Sequence, residues 1–166
     1  TLQAERLIRA GEYPQARRTL AAITETAAAN DPALPKAQTL LGATLYAERQ
    51  YSAAANVLEA VSQAAGAQRA EALIWRARAE RERASIERAI ALLREALPLL
   101  PELEPYPRAL LAGMLTEAGD VEGAANEWTA VQRSGGTMEG VANERLAELM
   151  ERGGEAMPAA DADRKS

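Results

Sequence analysis

The chain contains no histidine, no cysteine and no phenylalanine. Without imidazole or thiol there is no Cys or His nucleophile, no His general base, no thiolate or imidazole metal site and no disulfide. Aromatic residues are six: Tyr13, Tyr46, Tyr51, Tyr106, Trp75 and Trp128. A β-sandwich or a large globular core would want more bulky and β-branched side chains than these. No apolar run reaches the roughly 18 residues that a membrane-spanning helix needs. The net charge is −5, so bulk electrostatic attraction to nucleic acid is disfavoured.

What the chain has instead is alanine, 39 residues against 30 Leu, Ile and Val in a length of 166. Alanine is the best helix former and lets helices approach closely, so the composition predicts a thin, layered, all-α protein. The length suits a single domain. The opening Thr1-Leu2-Gln3-Ala4-Glu5 has neither an initiator Met nor a signal-peptide pattern, and reads as a trimmed or mature segment.

The sequence repeats itself. Gly11-Glu12-Tyr13, Arg49-Gln50-Tyr51, Ala84-Ser85-Ile86 and Gly119-Asp120-Val121 align as turn triplets. Each is followed three residues later by an alanine (Ala16, Ala54, Ala89, Ala124), and those alanines are spaced by 38, 35 and 35. Four residues further stands a large apolar side chain: Leu20, Leu58, Leu93 or Trp128. At this alanine abundance the alanines alone are weak; the joint pattern carries the argument. A large-small-large motif precedes the triplets in Leu41-Gly42-Ala43-Thr44-Leu45 and Leu111-Ala112-Gly113-Met114-Leu115, and recurs in Leu146-Ala147-Glu148-Leu149-Met150. The third unit departs from it, keeping only Ala77 between Arg76 and Glu80.

This pattern resembles the tetratricopeptide repeat (TPR) family over roughly residues 1–152, with degenerate repeats that lack the first tryptophan of the consensus. The resemblance implies an antiparallel helix-hairpin solenoid, a right-handed superhelix of about four hairpins plus a C-terminal capping helix. Units are expected at about 1–30, 35–67, 69–101 and 104–136, with the cap at 138–152 and a flexible tail at 153–166.

Apolar spacing and breakers place helices near 1–10, 14–29, 35–48, 53–65, 69–82, 85–97, 106–118, 122–133 and 138–152. Pro14 and Asp31-Pro32 suit first-turn prolines, and Ser85 suits an N-cap. Pro98 to Pro107 reads as an inter-hairpin loop, with docking of a partner by Tyr106 as the rival reading. Gly42, Ala77, Ala112 and Ala147 are expected to face Ala54, Ala89 and Ala124, beside a layer of Leu45, Leu58, Leu93, Leu115 and Trp128.

In the resembling family the first helix of each hairpin lines a concave, peptide-binding groove. Carried over by position, that groove receives Lys36, Thr39, Ala43 and Tyr46, then Glu71, Ile74, Arg78 and Arg81, then Tyr106, Ala109, Gly113 and Thr116. Arg78 and Arg81 would hold a carboxylate or a phosphorylated segment. The bland reading is a solvated face, since residues 69–94 hold seven Arg and four Glu, a net of +3. Residues 95–155 carry a net of −8. The Lys and Asn clamp by which some family members hold chaperone C-termini has no counterpart at Thr39, Leu40, Ala43, Glu71 and Trp75. Trp128 reads as packing, and Trp75 as packing or ligand platform.

Nothing converges into a catalytic set. Glu80/Glu82 and Glu102/Glu104 are i, i+2 pairs that point apart on a helix, and Gly135-Gly136 and Gly153-Gly154 lack the context of a phosphate loop. The expectation is a non-catalytic scaffold that binds a protein or peptide segment, with no cofactor, no metal, no nucleic acid and no membrane insertion. A homo-oligomer, or a module whose groove is filled by other domains, is the second reading. Bacterial cytoplasm and periplasm are both compatible.

Overall fold

A computed structural model describes residues 1–61, 66–101 and 105–156. They form α1 (Leu2–Arg9), α2 (Tyr13–Thr26), α3 (Leu34–Ala47), α4 (Tyr51–Ala60), α5 (Gly66–Glu82), α6 (Ile86–Ala96), α7 (Pro105–Ala118), α8 (Val121–Ser134) and α9 (Glu139–Ala156). There is no strand among the described residues. Contacts divide the chain into two compact units, Thr1–Pro101 and Glu102–Ser166.

The first unit holds three antiparallel hairpins, α1/α2, α3/α4 and α5/α6, each packed on the next through α2 against α3 and α4 against α5. The first helices α3 and α5 also lie side by side. The second unit holds the hairpin α7/α8, with α9 laid against α8.

The turn triplets have one structural cause. Their first residues, Gly11, Arg49, Ala84 and Gly119, all have positive φ between 59° and 83°. The left-handed residue turns the chain so that two amides reach back to the ending helix, the pattern of a Schellman cap. Gly11 N–H donates to Ile8 O and Glu12 N–H to Leu7 O; Arg49 donates to Tyr46 and Gln50 to Leu45. Ala84 donates to Arg81 and Ser85 to Glu80; Gly119 donates to Thr116 and Asp120 to Leu115. The second helix then opens with the amide of Ala16, Ala54, Ala89 or Ala124 donating to the middle residue of its triplet.

Those four alanines are completely buried, as are Ala77 and Ala112 on the facing first helices. Leu45, Leu58, Leu93, Leu115 and Trp128 are buried with them. The methyl-sized layer lets paired helices approach, and the larger side chains fill the space that approach leaves. In the first two hairpins the core joins Ala4, Leu20, Ala37, Leu41, Leu45, Ala54, Leu58 and Val61, closed by Ala72 and Ala79 of α5.

Several expectations are corrected. Ala147 is exposed; α9 buries Ala142 and Leu149 instead. α9 lies against α8, and Ala142 and Leu149 stand 35 residues after Pro107 and Met114, the buried edge of α7. The first-turn proline of α3 is Pro35, while Asp31 accepts a hydrogen bond from the Ala33 amide in the preceding loop. Ser85 occupies the N-cap of α6 but its hydroxyl makes no capping bond; Asp120 does cap α8, its carboxylate accepting from Gly123 N–H at 2.9 Å. Pro105 and Pro107 open α7 rather than extending the loop, as φ near −65° and a missing N–H cost nothing in a first turn. α2 ends at Thr26 because Ala27 turns extended, and α9 runs past Gly153 and Gly154 to Ala156. Residues 62–65 of the expected helix 53–65, the Glu102/Glu104 pair and residues 157–166 of the expected tail lie outside the described residues.

Candidate functional site

The side-by-side first helices α3 and α5 bring together the aromatic residues of the first unit. Tyr46 comes from the last turn of α3, and Trp75 and Arg78 from adjacent turns of α5. Tyr51 enters from the first residue of α4, directly after the left-handed turn. The Tyr46 ring lies 5.4 Å from Tyr51 and 5.6 Å from Trp75, tilted by 57° and 58°. Such inclined pairs set the positive ring edge of one against the negative face of another.

Arg78 completes the cluster. Its guanidinium carbon lies 4.8 Å from the centre of the Tyr46 ring and 4.4 Å from that of Trp75. Two rings therefore share one cation, a contact that Arg makes more often than Lys. Tyr46, Tyr51, Trp75 and Arg78 are all half-buried. Tyr46 and Trp75 seal the edge of the core and show their outer parts to solvent. The Tyr46 hydroxyl stands 3.5 Å from a carboxylate oxygen of Glu82.

The other expected groove residues divide. Ile74 is half-buried one residue before Trp75, while Arg81 and Glu71 are exposed. Arg81 is engaged within the protein. Lys36 is exposed and forms an ion pair with Glu5 at 2.7 Å. This contact holds the Glu5 carboxyl below its usual range and raises Lys36, the hydrogen bond between them being the largest cause for each. Thr39 is only 3% exposed, its hydroxyl bonded back to the Pro35 carbonyl at 2.9 Å, so it faces the interior. Tyr106 is 48% exposed and belongs, with Ala109, Gly113 and Thr116, to the second unit. Ala109 is buried there, and the space around Gly113 is open.

Sequence reasoning passed over Tyr51, which reads as a turn residue, and left Trp75 undecided. The available signal was spacing: Tyr46 and Tyr51 bracket one tight turn, so both emerge at the same end of the α3/α4 hairpin. Trp128 lies in the core of the second unit, with its indole nitrogen buried and unpartnered among the described residues.

The described residues contain no cluster of three or more acidic side chains suited to a metal ion, and no helix long and apolar enough to cross a membrane. The site offers stacking surfaces, one held guanidinium and flanking carboxylates, a set suited to recognition.

No family profile and no curated protein matches the sequence. Solved structures do. The chain is similar to MamA residues 41 to the end from Desulfovibrio magneticus RS-1, at 27% identity over 79% of this chain and 71% of that one, with a TM-score of 0.68. A Podosopora anserina kinesin light chain with nearly identical TPR-like repeats gives a TM-score of 0.77 at 18% identity, covering 92% of this chain and 84% of that one. PcrH, in complex with the chaperone-binding region of PopB, gives 0.62 at 14% identity, covering 74% and 99%. The hairpins, their left-handed turns and these likenesses together make the fold a tetratricopeptide-repeat-like one.

Proposed function

We propose that the protein is a non-catalytic interaction scaffold that holds a peptide or protein segment against the face shared by α3 and α5. The carrying observation is the half-exposed Tyr46, Tyr51, Trp75 and Arg78 cluster on neighbouring first helices. Aromatic and Arg side chains that are already immobilised lose little freedom on binding, which is why interface hot spots favour them. The structure of PcrH with a segment of PopB supports the reading by likeness of fold. Affinity capture with wild type and with an Arg78→Glu/Arg81→Glu variant tests it. Proteins retained by the wild type are expected to be lost from the variant, with the helical circular dichroism unchanged. An identical captured set would remove this face from consideration.

The second reading is self-assembly, favoured by charge. Residues 1–101 carry a net of +2 and residues 102–166 a net of −7, so the first unit of one copy attracts the second unit of another. Light scattering over a concentration series decides it, since a strict monomer excludes this role.

A further inference from the structure

We infer that the segment held on this face is acidic and places a carboxylate on Arg78; the inference rests on the groove reading above. α5 carries four arginines, Arg69, Arg76, Arg78 and Arg81. Arg69 pairs with Glu95, Arg76 with Glu59 at 2.7 Å, and Arg81 is engaged within the protein. Arg78 has no hydrogen-bond or ion-pair partner among the described residues, and its contacts are the two ring faces. Contact with ring faces leaves the guanidinium N–H groups, five donors in a fixed fork, to other partners. Arg78 is half-buried and its guanidinium sits against both Tyr46 and Trp75, so its position is set before a ligand arrives. A carboxylate matches such a fork with two parallel hydrogen bonds.

Charge selects carboxylate over phosphate. A phosphorylated side chain brings about −1.5 to −2 and calls for several cations. Here one guanidinium is uncommitted, Glu82 lies 3.5 Å from the Tyr46 hydroxyl, and Glu71 is exposed on the same helix. A singly charged carboxylate is balanced by Arg78, whereas a phosphate would meet surplus negative charge. The exposed parts of Tyr46 and Trp75, beside Ile74, then receive the neighbouring residues of the segment.

The experiment is selection of random displayed dodecapeptides on immobilised full-length protein, run in parallel on wild type, Arg78→Gln, Arg78→Lys and Tyr46→Ala. Wild type is expected to enrich peptides with Asp or Glu at one recurring position. Arg78→Gln should lose that position and Arg78→Lys should keep a weakened form of it, with circular dichroism matching wild type. In a synthetic selected peptide, replacing that acid by its amide should cost about tenfold or more in affinity, the size of a charged hydrogen-bonded pair. Replacing it by phosphoserine should bring no gain.

Selected peptides without a fixed acid, or with the same acid on Arg78→Gln, would overturn the inference; if Tyr46→Ala still abolished their binding, the groove reading would stand. Tighter binding of the phosphoserine peptide would overturn it in favour of a phosphorylated occupant. Self-association abolished by Arg78→Gln would overturn it in favour of a second copy. A wild type that selects nothing would take the groove reading down as well.

Discussion

A methyl group placed on Gly42 would lie less than 3.0 Å from Cγ and both methyl carbons of Leu58. Leu58 is fully buried, so its branch point has nowhere to turn. Replacing Gly42 by Ala therefore sets two effects against each other. Better helix propensity favours Ala by about 1 kcal/mol, while overpacking a closed core costs about 1–3 kcal/mol. Overpacking is expected to win, with a net loss of up to about 2 kcal/mol. At about 2–4 °C per kcal/mol for a chain of this size, the melting temperature should fall by several degrees. Adding Leu58→Val should restore part of the loss. A stabilised Gly42→Ala would mean that α3 and α4 are not this close.

The left-handed turns make the opposite prediction at two positions. Arg49 and Ala84 sit at φ of 60° and 59°, where their Cβ atoms crowd the backbone, at a cost of about 1–2 kcal/mol for an L-residue. Glycine relieves that strain but loses about 0.5–1 kcal/mol of chain entropy. Arg49→Gly and Ala84→Gly are each expected to raise stability by about 0.5–1 kcal/mol in urea unfolding, and additively, since they lie in different hairpins. Gly119→Ala should do the reverse. Unchanged midpoints for all three would contradict four equivalent caps.

These turns also explain why the fold was legible in the sequence and much of the site was not. A Schellman cap needs its left-handed residue, two backbone bonds and a restarted helix at fixed offsets, so the triplets and the alanines after them recur in the linear chain. Side-chain direction at a site has no such period. Thr39 looks polar and outward, yet it hides its hydroxyl on the Pro35 carbonyl and packs like a small apolar residue. Ala147 keeps the motif spacing, yet α9 buries Ala142 and Leu149 and leaves Ala147 exposed. Gly153 and Gly154 read as breakers, but glycine only weakens a helix by about 1 kcal/mol and does not forbid it. Arg78 reads equally well as a member of a solvated charge run; only the α3–α5 neighbourhood sets it on Tyr46 and Trp75.

The third hairpin's departure from the motif leads to another test. Arg76 stands 35 residues from Leu41 and Leu111, and Glu80 stands 35 residues from Leu45 and Leu115. Both are buried, Arg76 at 8% and Glu80 at 1% exposure. Glu80 survives there by accepting from Arg83 at 2.9 Å and pairing with Arg88 at 3.4 Å. Glu80→Gln keeps the shape and removes the charge, and should cost about 1–3 kcal/mol; the partly exposed arginines keep the loss below that of a fully enclosed pair. Glu80→Leu restores the apolar residue of the neighbouring repeats and is expected to be neutral or stabilising. Chemical denaturation of the two variants checks the order. Should Leu prove worse than Gln, the carboxylate would be required for more than filling its slot.

The Lys36 and Glu5 pair gives the pH dependence. It ties α3 to α1, an eight-residue helix otherwise held by its packing on α2, by the burial of Ala4 and by the partial burial of Ile8. The folded-state carboxyl of Glu5 titrates below its ordinary value of 4.5, chiefly through the hydrogen bond from Lys36. Its contribution to stability is therefore complete above pH 4.5 and disappears as pH falls through the lowered value. Lys36 titrates above its ordinary 10.5, so its contribution is complete below that pH and disappears as pH rises through the raised value. Between those limits the pair adds a constant, small amount that salt weakens. In Lys36→Met the Glu5 carboxyl midpoint, followed by NMR, should move up toward the ordinary value, and amide exchange in α1 should quicken at neutral pH. A midpoint that stays low in Lys36→Met would assign the shift to Arg9 and the N-terminal amine, the lesser charges acting on Glu5.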